Sequence, residues 1–327
     1  MRDRFGVSPD LYRKVSIVAL VALTTIVLTG AGVRLTGSGL GCPDWPKCHG
    51  GTVPPLDAHA VIEYSNRIFT GIVGITVIAA SLLAFFRRPY RWHLAAIGAI
   101  LPLGVIGQAV LGALVVEHHL SPVLVMGHFI LSMILLDAAF ALAWCATFEP
   151  GERRTSTDRL GVWAVRCLIP LGQLTILAGT ISTASGPHAG AQEGQLVRRL
   201  DFQGSGTLEW VVQRHAAIAA VFAISAIAVW SLLRRRGGDG RAADPLAVVV
   251  GLLVVQAAVG LTQWKLKLPG ELVWVHVTLA TVTWLAMLWT VAAAGRLEPS
   301  REEASSRLSP RWAPDRGATT SATPESP

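Results

Sequence analysis

The sequence predicts an all-α integral membrane protein whose eight transmembrane helices form two duplicated four-helix bundles. Three observations lead to this fold class. Of the 327 residues, 52% are hydrophobic and only 15% are charged, whereas soluble proteins carry about 25% charged residues. The apolar residues gather into eight long runs, and the second half of the chain repeats motifs of the first. This pattern excludes an ordinary soluble enzyme, a disordered protein, a disulfide-rich miniprotein and, despite the net charge of +7, a nucleic-acid binder.

The eight apolar runs are connected by polar segments, of which 34–60 and 185–207 are the longest outward-facing loops. A run of about 20 apolar residues crosses the hydrocarbon core as a helix. The first run is too long for the apolar region of a signal peptide, so we expect it to be retained as a span. The predicted spans are Val15–Val33, Val61–Phe86, Leu94–Val116, Val123–Thr147, Leu160–Thr183, Leu208–Leu233, Leu246–Trp264 and Leu272–Ala294.

The polar segments divide the chain into five parts. Two four-helix halves, 15–147 and 160–294, are separated by a linker at 148–159 and preceded by a polar N-terminus at 1–14. The segment 295–327 is rich in Ser, Pro, Arg and Glu. Such a composition cannot bury enough apolar surface to fold, so a disordered tail is predicted there.

Lysine and arginine predict the orientation of the spans. The two termini and the connections on the same side hold 19 of these residues. The opposite side holds 8 when the adjoining helix ends at Arg67 and Arg214 are included, and Arg166 lies within the fifth predicted span. Cytoplasmic segments of membrane proteins carry the excess of Lys and Arg. Both termini are therefore expected in the cytoplasm, and the loops 34–60 and 185–207 are expected to face outward.

An internal repeat relates the two halves. Gln108 precedes His128 by 20 residues, and Gln256 precedes His276 by the same distance. Because each half has an even number of spans, duplication gives two halves of one orientation. The matching segments are GQAVLG at 107–112 with VQAAVG at 255–260, and GVRLTGSG at 32–39 with GTISTASG at 179–186.

Two histidines of the second half are candidate ligands of a haem iron. His215 and His276 each lie about one turn inside the outer end of a predicted span, at similar depth. Ionisable side chains within spans are costly and usually mark function. Histidines on facing helices of a four-helix bundle are suited to axial ligation of haem. The alternative is that each imidazole only forms an interhelical hydrogen bond.

The first half keeps only part of this pair. His128 begins its span as His276 does, but Asn66 stands where the second half has His215. An amide is a poor ligand for haem iron, so we expect ligation through His128 alone, with an open position opposite. His59, near the start of the same span, is an alternative ligand.

Glu63 lies near that open position. It precedes Asn66 by three residues, so the two side chains share one face of a helix about a turn apart. A carboxylate near an open iron position is a candidate general base or charge stabiliser. The alternative is a structural ion pair with Arg67 at i,i+4, which has the favourable polarity.

The first outer loop contains Cys42, Cys48 and His49. Two thiols and one imidazole allow a metal site, although this spacing is uncommon for zinc. In an oxidising compartment the two cysteines are more readily joined in a disulfide, either structural or redox-active.

TGSGLGCPDWPKCHG at 36–50, followed by IEYSNR at 62–67, is similar to the haem A synthase family of bacterial and mitochondrial membranes. The resemblance covers roughly residues 12–294. It implies a duplicated four-helix bundle that oxidises a methyl group of haem O to the formyl group of haem A, for assembly of cytochrome oxidase. It also implies a substrate-haem site in 15–147 and a haem b cofactor, with its iron, in 160–294.

The resemblance assigns roles to individual residues. Many members of the family have His at the position of Asn66, so this chain departs from the family there. The implied roles are haem b ligation for His215 and His276, substrate-haem ligation for His128, an essential carboxylate for Glu63, and the outer-loop cysteine pair for Cys42 and Cys48.

The leading hypothesis is therefore a multi-pass oxidoreductase of the plasma membrane that acts on haem O. Haem O synthase (a farnesyltransferase) and an electron donor or acceptor are candidate partners. The alternatives are a non-catalytic haem b electron-transfer protein and a transporter. An electron carrier is expected to keep two complete haem sites, against which Asn66 argues. A transporter usually has interrupted helices at the midplane, whereas the polar residues here gather near the outer face.

Overall fold

Eight long α-helices dominate a computed structural model that describes residues 6–149, 152, 155–192, 194–237 and 241–298. Each of the eight is long and apolar enough to cross a membrane, which confirms the predicted all-α fold class. Most of the predicted disordered tail, from residue 299 onwards, lies outside the described residues. The helices are α1 (Pro9–Leu35), α2 (Ala58–Phe86), α3 (Trp92–Glu117), α4 (Pro122–Thr147), α5 (Arg159–Ser185), α6 (Thr207–Arg235), α7 (Ala243–Lys265) and α8 (Gly270–Ala294).

Polar first turns lengthen several helices beyond the apolar runs. Helix α1 begins six residues before the predicted Val15, because Ser8 caps it by accepting a hydrogen bond from the Leu11 N–H at 3.2 Å. Pro9 occupies the first turn, where a missing N–H carries no penalty. Asp57 caps α2 in the same way. Hydropathy alone does not register such caps.

The helices form two rings of four. In the first half α1 contacts α2 and α4, and α3 completes the ring between them; in the second half α5 contacts α6 and α8, with α7 between those two. Helices α2 and α4 are thus diagonal partners across the first ring, as α6 and α8 are across the second. The halves meet mainly through α1, α4, α5 and α8. The only described strands, β1 (Thr155–Ser156) and β2 (Arg296–Leu297), pair in parallel on the side of the termini.

The structure reproduces the repeat in detail. The side chain of Gln108 donates to the carbonyl of His128 at 3.1 Å, and that of Gln256 donates to the carbonyl of His276 at 3.0 Å. The turns before α4 and α8 match as well, since each contains two consecutive residues of positive φ. These are His119 and Leu120 in the first half, with φ of 47° and 57°, and Lys267 and Leu268 in the second, both with φ of 62°.

Candidate functional site

His215 and His276 face each other across the second ring. His215 is the ninth residue of α6 and His276 the seventh of α8. Their ring centroids are 6.3 Å apart, and the ring planes are inclined by 76°. A metal lies about 2 Å from an imidazole nitrogen that binds it, and that nitrogen lies about 1 Å from the ring centroid. Two imidazoles that share one metal therefore have centroids about 6 Å apart. The pair therefore fits the separation needed to hold one iron between two imidazoles.

Neither ring nitrogen Nδ1 is used by the surrounding described protein. The Nδ1 atoms of His215 and His276 are buried and form no hydrogen bond of normal geometry with a described residue. Buried polar atoms in native proteins normally have a partner. The two histidines do not form a hydrogen bond to each other through these Nδ1 atoms. The close approach of two imidazoles with buried, unpaired Nδ1 atoms fits the ligand set expected for haem.

Glycines on the neighbouring helices make room for the imidazoles. A Cβ atom built on Gly179 of α5 would stand 3.0 Å from Cε1 of His215, and one built on Gly260 of α7 would stand 3.1 Å from Cε1 of His276. Both distances are tighter than ordinary van der Waals contact, so a larger residue would press on the ring. The repeat motifs ending in Gly112 and Gly260 thus place a glycine against a histidine in both halves.

The first half has the same helix positions occupied by different side chains. Asn66 is the ninth residue of α2 and His128 the seventh of α4, the same positions that the two histidines hold in α6 and α8. The Asn66 Oδ1 and His128 Nδ1 atoms are both buried and have no hydrogen-bond partner among the described residues. Gly112 lies against His128, since a Cβ built on this glycine would stand 3.5 Å from Cε1 of the ring. The sequence register between the halves is therefore consistent with their helix positions.

Both carboxylate oxygens of Glu63 accept hydrogen bonds. The residue is only 6% exposed, and its Oε2 accepts a hydrogen bond from the backbone N–H of Cys42 at 2.8 Å. Its Oε1 accepts one from Arg67 at 2.5 Å. The structural ion pair that the sequence offered as the alternative is thus formed. The carboxylate also connects α2 to the first outer loop, a contact that spacing along the helix does not reveal.

Arg67 forms hydrogen bonds with the same loop. Its guanidinium donates to the carbonyls of Cys42, Asp44 and Lys47 at 2.9–3.1 Å, besides its ion pair with Glu63. A planar group with five donors is suited to holding several carbonyls at once. The sequence indicated Arg67 only as a helix partner, because its loop contacts depend on how residues 42–47 fold back over α2.

The outer loop itself is compact. Cys42 and Cys48 form a disulfide and are buried, and His49 Nε2 bonds with the carbonyl of Gly41 at 2.9 Å. The thiols and imidazole are thus occupied, and the described residues contain no group of three or more His, Cys, Asp or Glu side chains suited to a metal ion. Asp44 accepts from the N–H groups of Gly50 and His49; these bonds lower the pKa of its carboxyl below the usual value.

His59, the alternative ligand, forms a hydrogen bond with the segment that follows α1. Its Nδ1 lies 3.1 Å from the hydroxyl of Ser38, and the residue is the second of α2, about two turns outward from Asn66. This hydrogen bond joins the start of α2 to the end of the α1 segment.

Asp137 is a carboxylate well inside a span that no motif of the sequence singles out. Asp137 of α4 accepts a hydrogen bond from the indole N–H of Trp284 of α8 at 2.6 Å. A carboxylate within a span is itself a signal of special function or pairing. Its partner lies 147 residues away in the other half and could not be found from spacing.

Comparison with protein families decides the relationship of this chain. The family model COX15-CtaA, described as cytochrome oxidase assembly protein, matches residues 13–61 and 57–288, from the first helix into the last. The chain belongs to this family. With eight helices among its described residues able to cross a bilayer, it is a multi-pass protein of the plasma membrane.

Several curated relatives are similar to parts of the chain. The heme A synthase of Alkalihalophilus pseudofirmus is 32% identical over 147 residues, 44% of this chain and 49% of the relative. The heme A synthase of Bacillus licheniformis is 30% identical over 141 residues, 43% of this chain and 46% of the relative. That of Exiguobacterium sibiricum is 35% identical over 127 residues, 37% and 43% of the two chains. The chain spans about half the length of the curated relatives it matches.

Proposed function

We propose that this chain is a haem A synthase, which oxidises a methyl group of haem O to the formyl group of haem A. The observation that carries the proposal is the pair His215 and His276, two imidazoles whose Nδ1 atoms are buried without a partner among the described residues and whose centroids lie 6.3 Å apart. Membership of the cytochrome oxidase assembly family and the heme A synthases among the relatives support the same activity.

In this proposal the two halves have different tasks. His215 and His276 hold a haem b cofactor in the second half, where bound iron supplies electron-transfer chemistry. A haem held by two imidazoles would be suited to electron transfer rather than to binding a reactant. The packed glycines Gly179 and Gly260 fix the direction of the two rings.

The first half is proposed to hold haem O. His128 binds one side of the substrate, and Asn66 leaves the opposite side without an imidazole. Glu63 lies one turn outward of Asn66 on the same helix, held by Arg67 and the Cys42 N–H. Its proposed task is to stabilise positive charge or to hold a proton beside the substrate, and its fixed hydrogen bonds keep the carboxylate in one place.

The decisive experiment is to express the chain together with a source of haem O and to analyse the extracted haems by chromatography and mass spectrometry. A haem whose mass matches conversion of methyl to formyl is expected. Extracts from cells with the His276→Ala variant should contain haem O but not this product. A wild-type protein that binds reducible haem b yet leaves haem O unchanged would contradict the proposal and favour an electron-transfer protein.

A further inference from the structure

A cavity of about 510 Å³ opens at the outer end of the second ring. Its lining comes from the end of α5, the start of α6, the end of α7, the loop before α6 and the turn before α8. The lining residues on which the inference depends are Gly186, Arg199, Leu208, Trp264, Lys267 and Leu268. No carboxylate side chain of the described residues belongs to the lining.

Helix register places this cavity outward of the histidine pair. Leu208 precedes His215 by seven residues on α6, two full turns on the same face. Trp264 follows Gly260 by four residues on α7, and Gly260 is the residue packed against His276. Gly186 directly follows α5, two turns beyond Gly179. Three elements thus lead from residues that touch the imidazoles to the lining of the cavity.

Two cations border the cavity without carboxylate partners in the described part of the chain. Neither Arg199 nor Lys267 forms an ion pair among the described residues. Arg199 donates one hydrogen bond to the carbonyl of Pro187, which holds its guanidinium at the edge of the cavity. A guanidinium and an ammonium beside an apolar cavity are suited to bind carboxylates.

The matching positions of the first half are tightly packed. The positions that match Gly186 and Leu268 are Gly39 and Leu120. A Cβ built on Gly39 would stand 2.9 Å from the carbonyl oxygen of Gly190 and 3.3 Å from the Leu120 side chain, and Leu120 is buried. Gly39 therefore lies against packed protein, whereas the matching Gly186 lines the cavity.

We infer that Arg199 and Lys267 bind the two propionate carboxylates of the haem held by His215 and His276. The inference rests on the proposed function, because it requires a haem in the second half. It assigns the orientation of that haem: its carboxylate edge faces outward, and its apolar edge faces the membrane interior. Both cations then neutralise charge that would otherwise lie at the end of an apolar bundle.

The test compares two double variants of the full-length purified protein. Arg199→Gln with Lys267→Gln removes both cations from the cavity. Arg198→Gln with Lys265→Gln is the matched control, because it removes the same charge from neighbouring positions that do not line the cavity. The measurements are the rate of haem transfer to apomyoglobin and the midpoint reduction potential of the bound haem.

The cavity variant is expected to release haem at least about tenfold faster than wild type, since one charge-assisted hydrogen bond contributes about that factor. Its midpoint potential should fall, because the lost positive charge had favoured the reduced iron. The control variant should keep the wild-type release rate and potential.

A second arm tests the carboxylates themselves. Wild-type apoprotein reconstituted with the dimethyl ester of protohaem should release it as fast as the cavity variant releases protohaem. The cavity variant should release the dimethyl ester and the free acid at the same rate. The interaction is already absent in this variant, so removing the carboxylates as well has no further effect.

Two results would overturn the inference. If wild-type protein binds haem through the histidines but the cavity variant and the ester both behave as wild type, Arg199 and Lys267 do not bind the propionates. If wild-type protein holds no haem through His215 and His276, the proposed function itself fails, and the inference fails with it.

Discussion

Glu63 combines two contacts that separate experiments can distinguish. Its carboxylate accepts from the Cys42 N–H and pairs with Arg67. Arg67 in turn holds three carbonyls of the outer loop. A loss of activity on changing Glu63 could therefore arise at the substrate or through the loop, and the two residues must be changed separately.

We predict that Glu63→Gln abolishes haem A formation while haem b stays bound. The amide oxygen can still accept from the Cys42 N–H, but the negative charge is lost. Arg67→Met is the matched variant, since it removes the loop contacts and leaves the carboxylate. It should loosen the loop, seen as faster proteolysis between residues 42 and 57, and retain part of the activity. Full activity of Glu63→Gln would show that the carboxylate only anchors the loop.

The missing imidazole at Asn66 gives a second prediction at this scale. Asn66→His should complete a bis-histidine pair with His128, add low-spin haem and raise the haem content towards two per chain. Turnover should become slower, because both axial positions of the substrate iron are then occupied. Absorption spectra and haem-to-protein ratios measure the outcome.

The control for this prediction is His59→Ala, which removes the alternative ligand. The hydrogen bond between His59 and Ser38 leads us to expect no change in the haem spectrum. If His59→Ala changes the spectrum of haem in the first half and Asn66→Ala does not, His59 is the ligand and the register of the halves is wrong.

At the scale of the helices, glycines determine how closely each histidine ring packs against the adjacent helix. Gly260→Ala in α7 should weaken haem binding, because the added Cβ would stand 3.1 Å from His276 Cε1 and must displace the ring. We expect a loss of haem occupancy and a partial change from low-spin to high-spin absorption. Gly112→Ala in α3, where the corresponding distance is 3.5 Å, should have a smaller effect.

Gly251→Ala provides the control within the same helix. A Cβ at Gly251 meets no atom within 4 Å, and alanine favours helix by about 1 kcal/mol over glycine. This variant should bind haem normally. Equal effects of Gly260→Ala and Gly251→Ala would mean that general helix changes, rather than contact with His276, govern haem binding.

At the scale of the whole molecule, a few polar contacts join the two halves. Trp274 of α8 donates to the carbonyl of Leu28 on α1 at 3.0 Å, and Arg34 of α1 donates to the carbonyls of Thr183 and His188 at 3.0 and 2.9 Å. The hydrogen bond between Trp284 and Asp137 lies deeper. These contacts join α8 to α1, α1 to the end of α5, and α8 to α4.

We predict that Trp284→Phe lowers the midpoint of thermal unfolding in detergent. It removes the donor to Asp137, and a carboxyl left without a partner at a packed interface costs about 1–3 kcal/mol. Adding Asp137→Leu should recover much of the loss, because the unsatisfied group is then gone. A double variant as unstable as the sum of the single variants would mean that the hydrogen bond does not couple the halves.

The membrane orientation gives a further prediction. The excess of Lys and Arg leads us to propose that both termini lie in the cytoplasm. A green fluorescent protein fused after Pro327 should therefore fluoresce in bacterial cells, whereas a fusion inserted in the outer loop near Val53 should not. A fluorescent loop fusion together with a dark C-terminal fusion would reverse the orientation and place the Cys42–Cys48 disulfide inside the cell.

The sequence by itself determined the elements and their duplication. A helix needs about 20 apolar residues to cross the bilayer. Eight spans could therefore be counted from the lengths of the apolar runs without knowing how the helices pack. The repeat could be aligned because Gln108 and Gln256 each precede a histidine by 20 residues. Equivalent positions in the helices then followed, including Asn66 in place of an imidazole. The helix starts were predicted less well, since caps such as Ser8 are polar.

Tertiary structure alone decided which side chains meet. Spacing on α2 indicated the pair of Glu63 with Arg67, but the contact of Glu63 with Cys42 required the loop to fold back over the helix. The partner of Asp137 lies in the other half of the chain, and the cations Arg199 and Lys267 meet at one cavity from different elements. Local periodicity encodes which face of a helix a residue occupies, whereas contacts between distant segments depend on the packing of all eight helices.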